Sequence, residues 1–152
     1  MKKTLNFCFV MALASMWIGC SKSPKEKAVL DYVQTIGNSK IDMSAAVVDL
    51  RKERDMYGVD SLIVVMAEIQ AIDDPGSDRR EELLKRVENY TDSRSQMIGE
   101  FWFCTYRLKN PLMNNAKQEV STYFMFQGDD LIGVMDVESY KSLTEITNKN
   151  LK

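Results

Sequence analysis

The chain contains no histidine among its 152 residues. Enzymes that pair histidine with a serine or cysteine nucleophile are therefore excluded. Zinc sites built on histidine are excluded too, and the three cysteines are too few for a four-cysteine site. Only oxygen ligands remain for a divalent cation. We expect no catalytic residue, no metal, no cofactor and no enzyme activity.

The chain also has no apolar run long enough to cross a bilayer. Its longest run, from Leu5 to Ile18, covers about 14 residues, whereas a spanning helix needs roughly 20. Two lysines precede this run and a glycine follows it. A basic start, a short apolar segment and a small residue are typical of a secretory signal peptide. An uncleaved anchor, or cleavage near the Ala-Leu-Ala at 12–14, remains an alternative.

Gly19 and Cys20 resemble the lipobox of bacterial lipoproteins, in which the cysteine becomes the lipidated first residue. The resemblance implies a signal peptide at 1–19, lipidation of Cys20 and an acyl anchor in the membrane. Ser21 is not the aspartate that retains such proteins at the inner membrane, and no acidic export cluster follows. The implied location is the cell envelope, at the periplasmic face of the outer membrane.

The remaining cysteine has no partner if this signal is cleaved. Cys8 leaves with the signal peptide and Cys20 carries lipid, so Cys104 cannot form an intramolecular disulfide. Stability must then come from an apolar core. A reactive thiol is one interpretation of Cys104, but its apolar neighbours favour a buried and inert side chain.

Composition indicates one ordinary globular domain. The formal net charge is −2, with 28% charged and 45% hydrophobic residues. No basic patch dominates, which argues against a nucleic-acid partner. We expect a tether at 20–23, one domain at 24–140 and a loosely held polar tail at 141–152.

Hydrophobic periodicity and turn residues predict the secondary structure. Ser23 is expected to cap the first helix, Asp60 the second and Asp78 the third, while Gly58 ends the first strand. A four-residue hairpin joins the last two strands. The predicted helices are 24–36, 60–71 and 78–93, and the predicted strands are 43–56, 100–108, 118–126 and 131–137. This order predicts an α+β domain, with helices packed on one face of a four-stranded antiparallel sheet.

The strand at 100–108 is apolar on both of its alternating sides. If the helices cover one face of the sheet, aromatic side chains remain exposed on the other. Trp102, Tyr106 and Tyr123 are therefore candidate binding residues. The alternative is that these side chains belong to the core of the sheet.

Two further patterns have simpler explanations. The acidic pairs 73–74 and 129–130 lack the spacing of a calcium loop and are expected to be solvated turns. Residues 118–122 (QEVST) are similar to the Q-x-V-x-G loop of cystatin protease inhibitors, but Thr122 replaces the glycine. A strand segment is expected there.

Taken together, the lipobox and the segments 58–61 (GVDS), 109–111 (KNP) and 117–120 (KQEV) resemble small Bacteroidetes lipoproteins with a cystatin-like fold. The resemblance covers roughly the whole chain. It implies helices laid on one face of a curved antiparallel sheet, and it implies no enzyme activity.

Three functions are consistent with these features. The first is a non-enzymatic binding or accessory module, anchored to the membrane by lipid, that contacts an envelope protein through its sheet face or edge. The second is a small-ligand carrier or enzyme with a cone-shaped pocket, which needs a cavity of about 300 Å³ or more. The third is a protease inhibitor, which Thr122 disfavours.

Overall fold

The computed structural model describes residues 22–36, 44–110 and 113–150. The predicted signal peptide, the predicted lipidation site Cys20 and Gly37, the expected end of the first helix, lie outside the described residues. Among the described residues, no helix is both long enough and apolar enough to cross a membrane.

The described residues form four helices and one four-stranded antiparallel sheet, so the α+β prediction is confirmed. In chain order the elements are α1 (Pro24–Ile36), β1 (Ala46–Tyr57), α2 (Gly58–Gln70), α3 (Asp78–Asp92), β2 (Met97–Asn110), β3 (Ala116–Gln127), β4 (Asp130–Met135) and α4 (Val137–Asn150). The strand order is β1-β2-β3-β4, which makes β1 and β4 the two edges of the sheet.

The first helix begins as predicted. Ser23 Oγ accepts the backbone N–H of Glu26 at 3.1 Å, and Pro24 occupies the first helical position. Val29 and Val33 project from one side of α1 and are buried. They pack against Cys104 and neighbouring side chains on one face of the sheet. Helical spacing of two apolar residues thus fixes how α1 lies on the strands.

Helices cover both faces of the sheet, so the prediction that they pack on one face is wrong. Phe124 and Phe126 of β3 face α1. On the opposite face, Phe101 and Tyr123 pack with Tyr140 of α4, and side chains of α2 join this second cluster. Strands that are apolar on both alternations need two covering layers. The second layer comes from α2 and from a helix that was not predicted.

That unpredicted helix is α4, which occupies most of the expected polar tail. The prediction of a loose tail is wrong for residues 141–150. Tyr140, Leu143 and Thr147 follow one another at spacings of three and four residues, and all three are buried. Asp136 Oδ1 accepts the backbone N–H groups of Glu138 and Ser139 at 2.9 Å, and this cap starts the helix one residue later.

The start of α2 depends on a close approach of two backbone segments. A Cβ atom on Gly58 would lie 2.2 Å from the carbonyl oxygen of Ser93, so only glycine fits. Asp60 was expected to cap this helix from its first position. Instead it lies three residues after Tyr57, and Asp60 Oδ2 accepts the Tyr57 backbone N–H at 2.9 Å.

The hairpin between β3 and β4 is tighter than predicted. Gln127 pairs with Asp130, which leaves two residues in the turn rather than four. Gly128, the first of these, has a φ of 63°. Asp129, the second, does not have a positive φ. Positive φ at the first turn position alone is the geometry of a type II′ hairpin, whose twist matches that of the strands.

Candidate functional site

The predicted aromatic residues do not form one surface. Tyr106 is buried against Phe124 on the α1 face. Tyr123 is buried on the opposite face, where its ring stacks on Tyr140 with centroids 3.7 Å apart. Strand alternation thus separates the two tyrosines. Neither can meet a partner at the surface of the described structure.

Trp102 is half-buried and is held in place by charged neighbours. Its indole Nε1 donates to Glu100 Oε2 at 2.8 Å. The ammonium group of Lys25 lies 5.2 Å from the centre of its ring and donates to the carbonyl oxygen of Gly128 at 2.6 Å. Hydrogen bonds from Lys52 and from Trp102 hold the pKa of Glu100 below its usual value. This cluster fastens the start of α1 to the β3–β4 hairpin.

Cys104 lies in the core with none of its surface exposed. Removal from water is the largest cause that raises the pKa of its thiol to about 12. Since the thiolate is the reactive form, the native thiol is inert. The interpretation of Cys104 as a core residue is confirmed.

An ion pair with a buried carboxylate and a partly buried guanidinium joins β1 to both helices on the second face. Arg54 Nη1 and Nη2 donate to the two carboxylate oxygens of Asp60 at 2.8 and 2.9 Å. Asp60 is 1% exposed, and its Oδ1 also accepts the hydroxyl of Thr147 at 3.0 Å. Burial disfavours the charge on Arg54, but the hydrogen bonds and the attraction of Asp60 outweigh it and raise the pKa of Arg54.

This arrangement assigns Asp60 a structural role. Its oxygens accept bonds from Arg54, Thr147 and the Tyr57 backbone, so the carboxylate is occupied and not placed as a general base. This ion pair was only weakly indicated by the sequence. Arg54 belongs to a run of charges that resembles a solvated strand, and Asp60 resembles a helix cap.

The two edges of the sheet differ in chemistry. Half of the residues in β1 are charged, and three register shifts interrupt its pairing with β2. Lys52 Nζ lies 2.8 Å from Glu100 Oε1, and Arg51 pairs with Asp49 on the same strand. Charges and bulges are the usual means by which an edge strand resists further pairing.

β4 has six residues, and its only charged residue, Asp130, is the first. Among the described strands, β4 pairs with β3 on one side and with nothing on the other. Its pairing with β3 skips Ile132, which is left as a bulge. The side chain of Ile132 is 49% exposed. An edge strand of this kind offers unpaired backbone N–H and C=O groups beside apolar side chains.

A cleft of about 390 Å³ opens beside β4, and we call it the β4 cleft. It lies between α2 and α3 on one side and the sheet on the other. Its apolar lining is formed by Met56, Val64, Val65, Phe101, Met125, Ile132, Val134 and Met135. Its polar groups are supplied by Asp60, Ser61, Glu68, Arg86, Tyr90 and Gln127.

A second depression, of about 820 Å³, continues the β4 cleft between α2 and α4. The two share Val64, Glu68, Val134 and Met135, so they form one groove along the end of β4. Methionine side chains are flexible and adapt to differently shaped apolar groups. The arrangement can therefore accept apolar side chains of varied shape.

The remaining predicted sites are structural. Residues 118–122 lie within β3, as expected, and the Thr122 hydroxyl donates to the carbonyl oxygen of Met135 at 2.7 Å. Asp129 lies in the hairpin turn, 3.3 Å from Lys25 Nζ. Within the described part of the chain, no three Cys, Asp or Glu side chains are grouped in a way that could hold a metal ion.

Comparison of the chain with protein-family models finds no match. Comparison with curated proteins and with solved structures finds no significant match either.

Proposed function

We propose that this protein is a non-enzymatic binding module of the cell envelope, which holds an extended segment of a partner protein along β4. In this mode the partner adds a fifth strand to the sheet. Backbone hydrogen bonds to β4 supply affinity, and alternate side chains of the partner enter the groove. The observation that carries the proposal is the opening of the β4 cleft directly beside an unpaired and largely uncharged edge.

The location in the envelope rests on Cys20 and its short tether. Three residues separate Cys20 from Pro24, where α1 begins. Since an extended residue spans at most about 3.6 Å, a lipidated Cys20 would keep the start of α1 within roughly 15 Å of the membrane surface. Lys25 fastens that start to the β3–β4 hairpin. The partner would therefore be met close to the bilayer.

The cystatin-like relationship also remains a proposal. It is supported by a helix, α1, laid across an antiparallel sheet of four strands in sequential order. The layer formed by α2 and α4 on the opposite face is a departure from the predicted arrangement. In this proposal the second layer is an addition that creates the groove.

Site-specific photo-crosslinking in native envelopes tests the binding function. The photoreactive residue p-benzoylphenylalanine replaces either Ile132 on β4 or Val48 on β1. The two positions are matched, since both are bulges at an edge and are 49% and 51% exposed. We expect position 132 to crosslink to one extended segment of one partner and position 48 to give none. Equal crosslinking at both positions would contradict the proposal.

The Cys20→Ser variant tests the anchor in the same experiment. Without a lipidated cysteine, we expect the chain to leave the membrane fraction and the crosslink at position 132 to weaken, because anchor and partner then no longer share a surface. Retention of a Cys20→Ser variant in the membrane fraction after loss of residues 1–19 would refute the lipid anchor, whereas retention with residues 1–19 still attached would favour the uncleaved anchor.

A small-ligand carrier is the second candidate, because the β4 cleft exceeds the roughly 300 Å³ that ligand pockets require. A carrier purified from its native membrane would release a bound small molecule on denaturation, visible by mass spectrometry. Release of a stoichiometric compound, together with no crosslink at position 132, would favour the carrier.

A further inference from the structure

The strand β4 is apolar in its middle and bounded by acids at both ends. Asp129 and Asp130 precede the apolar residues, and Asp136 and Glu138 follow them. No lysine or arginine occurs between residues 128 and 140. A strand paired with β4 would therefore meet negative charge at each of its ends.

Two of these acids already have a role within the chain. Asp129 faces Lys25, and Asp136 caps α4 through the backbone N–H groups of two residues. The carboxylates of Asp130 and Glu138 form no ion pair within the described ranges. Lys141 follows Glu138 by three residues on α4 but forms no ion pair with it in the described structure, so both carboxylates remain open to a cation from a partner.

Positive charge near the groove lies elsewhere. Arg86 lines the β4 cleft from α3, where its guanidinium lies 6.0 Å from the centre of the Tyr90 ring. It thus stands on the wall across from β4. Lys25 is directed to the carbonyl oxygen of Gly128 and to Asp129. Neither cation balances Asp130 and Glu138.

We infer that the partner of β4 is a peptide segment with apolar side chains in its middle and lysine or arginine at both ends, about six residues apart. This inference rests on the proposed function. Alternate side chains of such a strand point to one face, where Ile132 and the flexible methionines Met125 and Met135 would receive them. One terminal cation would lie opposite Asp130, and the other would lie near Glu138 in the first turn of α4, beyond the end of the strand. Because both ends of β4 are acidic, parallel and antiparallel partners are accommodated alike.

Charge alone would not make this a site, since Asp136 and Glu138 are also where a helix start favours acids. The unpaired strand and the adjoining groove supply the surface, and the acids select what binds there. Complementary charges at the rim of an interface act mainly on specificity and on association rate. The partner's end charges should therefore decide between peptides that share the same apolar middle.

The test uses the full-length chain and two fluorescent peptides, Lys-Val-Thr-Val-Thr-Val-Lys and Glu-Val-Thr-Val-Thr-Val-Glu. We expect the lysine-ended peptide to bind at least about tenfold more tightly near 20 mM salt. This preference should shrink toward threefold or less near 500 mM salt, because exposed charges are screened.

Paired substitutions locate the charges responsible. Asp130→Asn with Glu138→Gln should reduce the preference for the lysine-ended peptide to about threefold or less at low salt. The matched control, Glu88→Gln with Asp92→Asn, removes two exposed acids from α3 and should leave the preference unchanged.

The outcomes separate this inference from the function on which it rests. If both peptides bind equally and Ile132→Ser weakens their binding, the preference for cationic ends is refuted, but the β4 edge remains the binding site. Tighter binding of the glutamate-ended peptide would do the same. Absence of binding by either peptide at 1 mM, with no change in the backbone amides of β4, would overturn both.

Discussion

The two edges of one sheet have opposite surfaces. β1 is long, charged and interrupted by three register shifts, and side chains from it fasten to neighbouring elements. β4 is short and apolar after its first residue, and it borders the groove. Both edges belong to the same domain and face the same solvent. Solubility alone therefore does not explain why one edge is charged along its length and the other is not.

The difference between the two edges indicates that a binding function is to be sought at β4. Proteins commonly protect edge strands against unwanted pairing, and β1 carries such protection. β4 is short and has one bulge at Ile132, but it carries no charge after Asp130, so its protection is weaker than that of β1. The remaining risk of aggregation is tolerable where a partner covers the strand. The aromatic residues that first suggested a binding surface are used instead to pack the two layers of helices.

The largest loss of stability is expected from breaking the ion pair that joins β1 to the helices. Asp60→Ala leaves the partly buried guanidinium of Arg54 without its partner, and we expect it to lower the free energy of unfolding by about 2–3 kcal/mol. Urea unfolding measures this. Asp49→Ala is the matched control, because it removes the exposed partner of Arg51, and it should cost less than about 1 kcal/mol.

If Asp60→Ala lowers the free energy of unfolding by less than about 1 kcal/mol, the ion pair does not hold β1 against the helices. If Asp60→Ala does not fold, Thr147→Val tests the same network. It removes one hydrogen bond to Asp60 and should cost about 1 kcal/mol.

The second effect is on the reactivity of Cys104. This residue of β2 pairs with Leu50 of β1, so its reactivity reports whether β1 stays paired with β2. With Cys8 and Cys20 replaced by serine, alkylation at pH 8 should be at least about a thousandfold slower in the native chain than in urea, because burial both excludes the reagent and raises the pKa of the thiol from 9.0 to about 12. The native rate should rise about tenfold per pH unit above pH 9. Rapid native alkylation at pH 8 would mean that β1 opens.

The same thiol makes stability depend on pH with a definite sign. Its pKa is raised in the folded state, so folding favours the protonated thiol. The stabilisation is complete below about pH 9 and is lost as the pH rises toward 12. Urea unfolding at pH 8 and pH 10 measures this change. The fall in unfolding free energy between the two pH values should be smaller for Cys104→Val, because that variant has no thiol to ionise.

A smaller effect is expected at the turn that leads into β4. Gly128→Ala places a side chain at a φ of 63°, and we expect a loss of about 1–2 kcal/mol in unfolding free energy. Gly76→Ala is the control, since its φ is not positive and a Cβ would have only an ordinary contact. An equal and small effect at both glycines would mean that the hairpin does not constrain β4.

The smallest effect directly compares the two edges. Ile132→Ser should weaken binding of the lysine-ended peptide about fivefold, since a half-exposed isoleucine gains roughly 1 kcal/mol when the partner covers it. Val48→Ser removes an equally exposed side chain from β1 and should change nothing. Fluorescence anisotropy measures both affinities. Equal weakening by both variants would remove the distinction between the edges.

The strands and three helices were predictable from sequence because their patterns are local. Runs of aromatic and β-branched residues marked β2 and β3, and Ser23 with Pro24 marked the start of α1. The helix α4 was missed because the buried position at residue 147 is a threonine and the segment is otherwise polar. Its stabilising contacts come from the sheet and from Asp60, which sequence periodicity does not reveal.

The groove was not predictable for the same reason. It exists because α2, α3 and α4 leave space beside β4, and the position of each helix depends on long-range packing. The bulge at Ile132 shifts the register by one residue, which a regular alternation cannot indicate. Charged residues 51–55 suggested a solvated strand, although the Arg54 side chain is partly buried in its ion pair with Asp60.

The most direct test of the central claim is amide hydrogen exchange across the sheet, measured by NMR with and without the lysine-ended peptide. If β4 is the binding edge, backbone amides within Asp130–Met135 should exchange at least about tenfold more slowly when the peptide is bound. Amides within Ala46–Tyr57 should be unchanged. Slower exchange in β1 with no change in β4 would contradict the account.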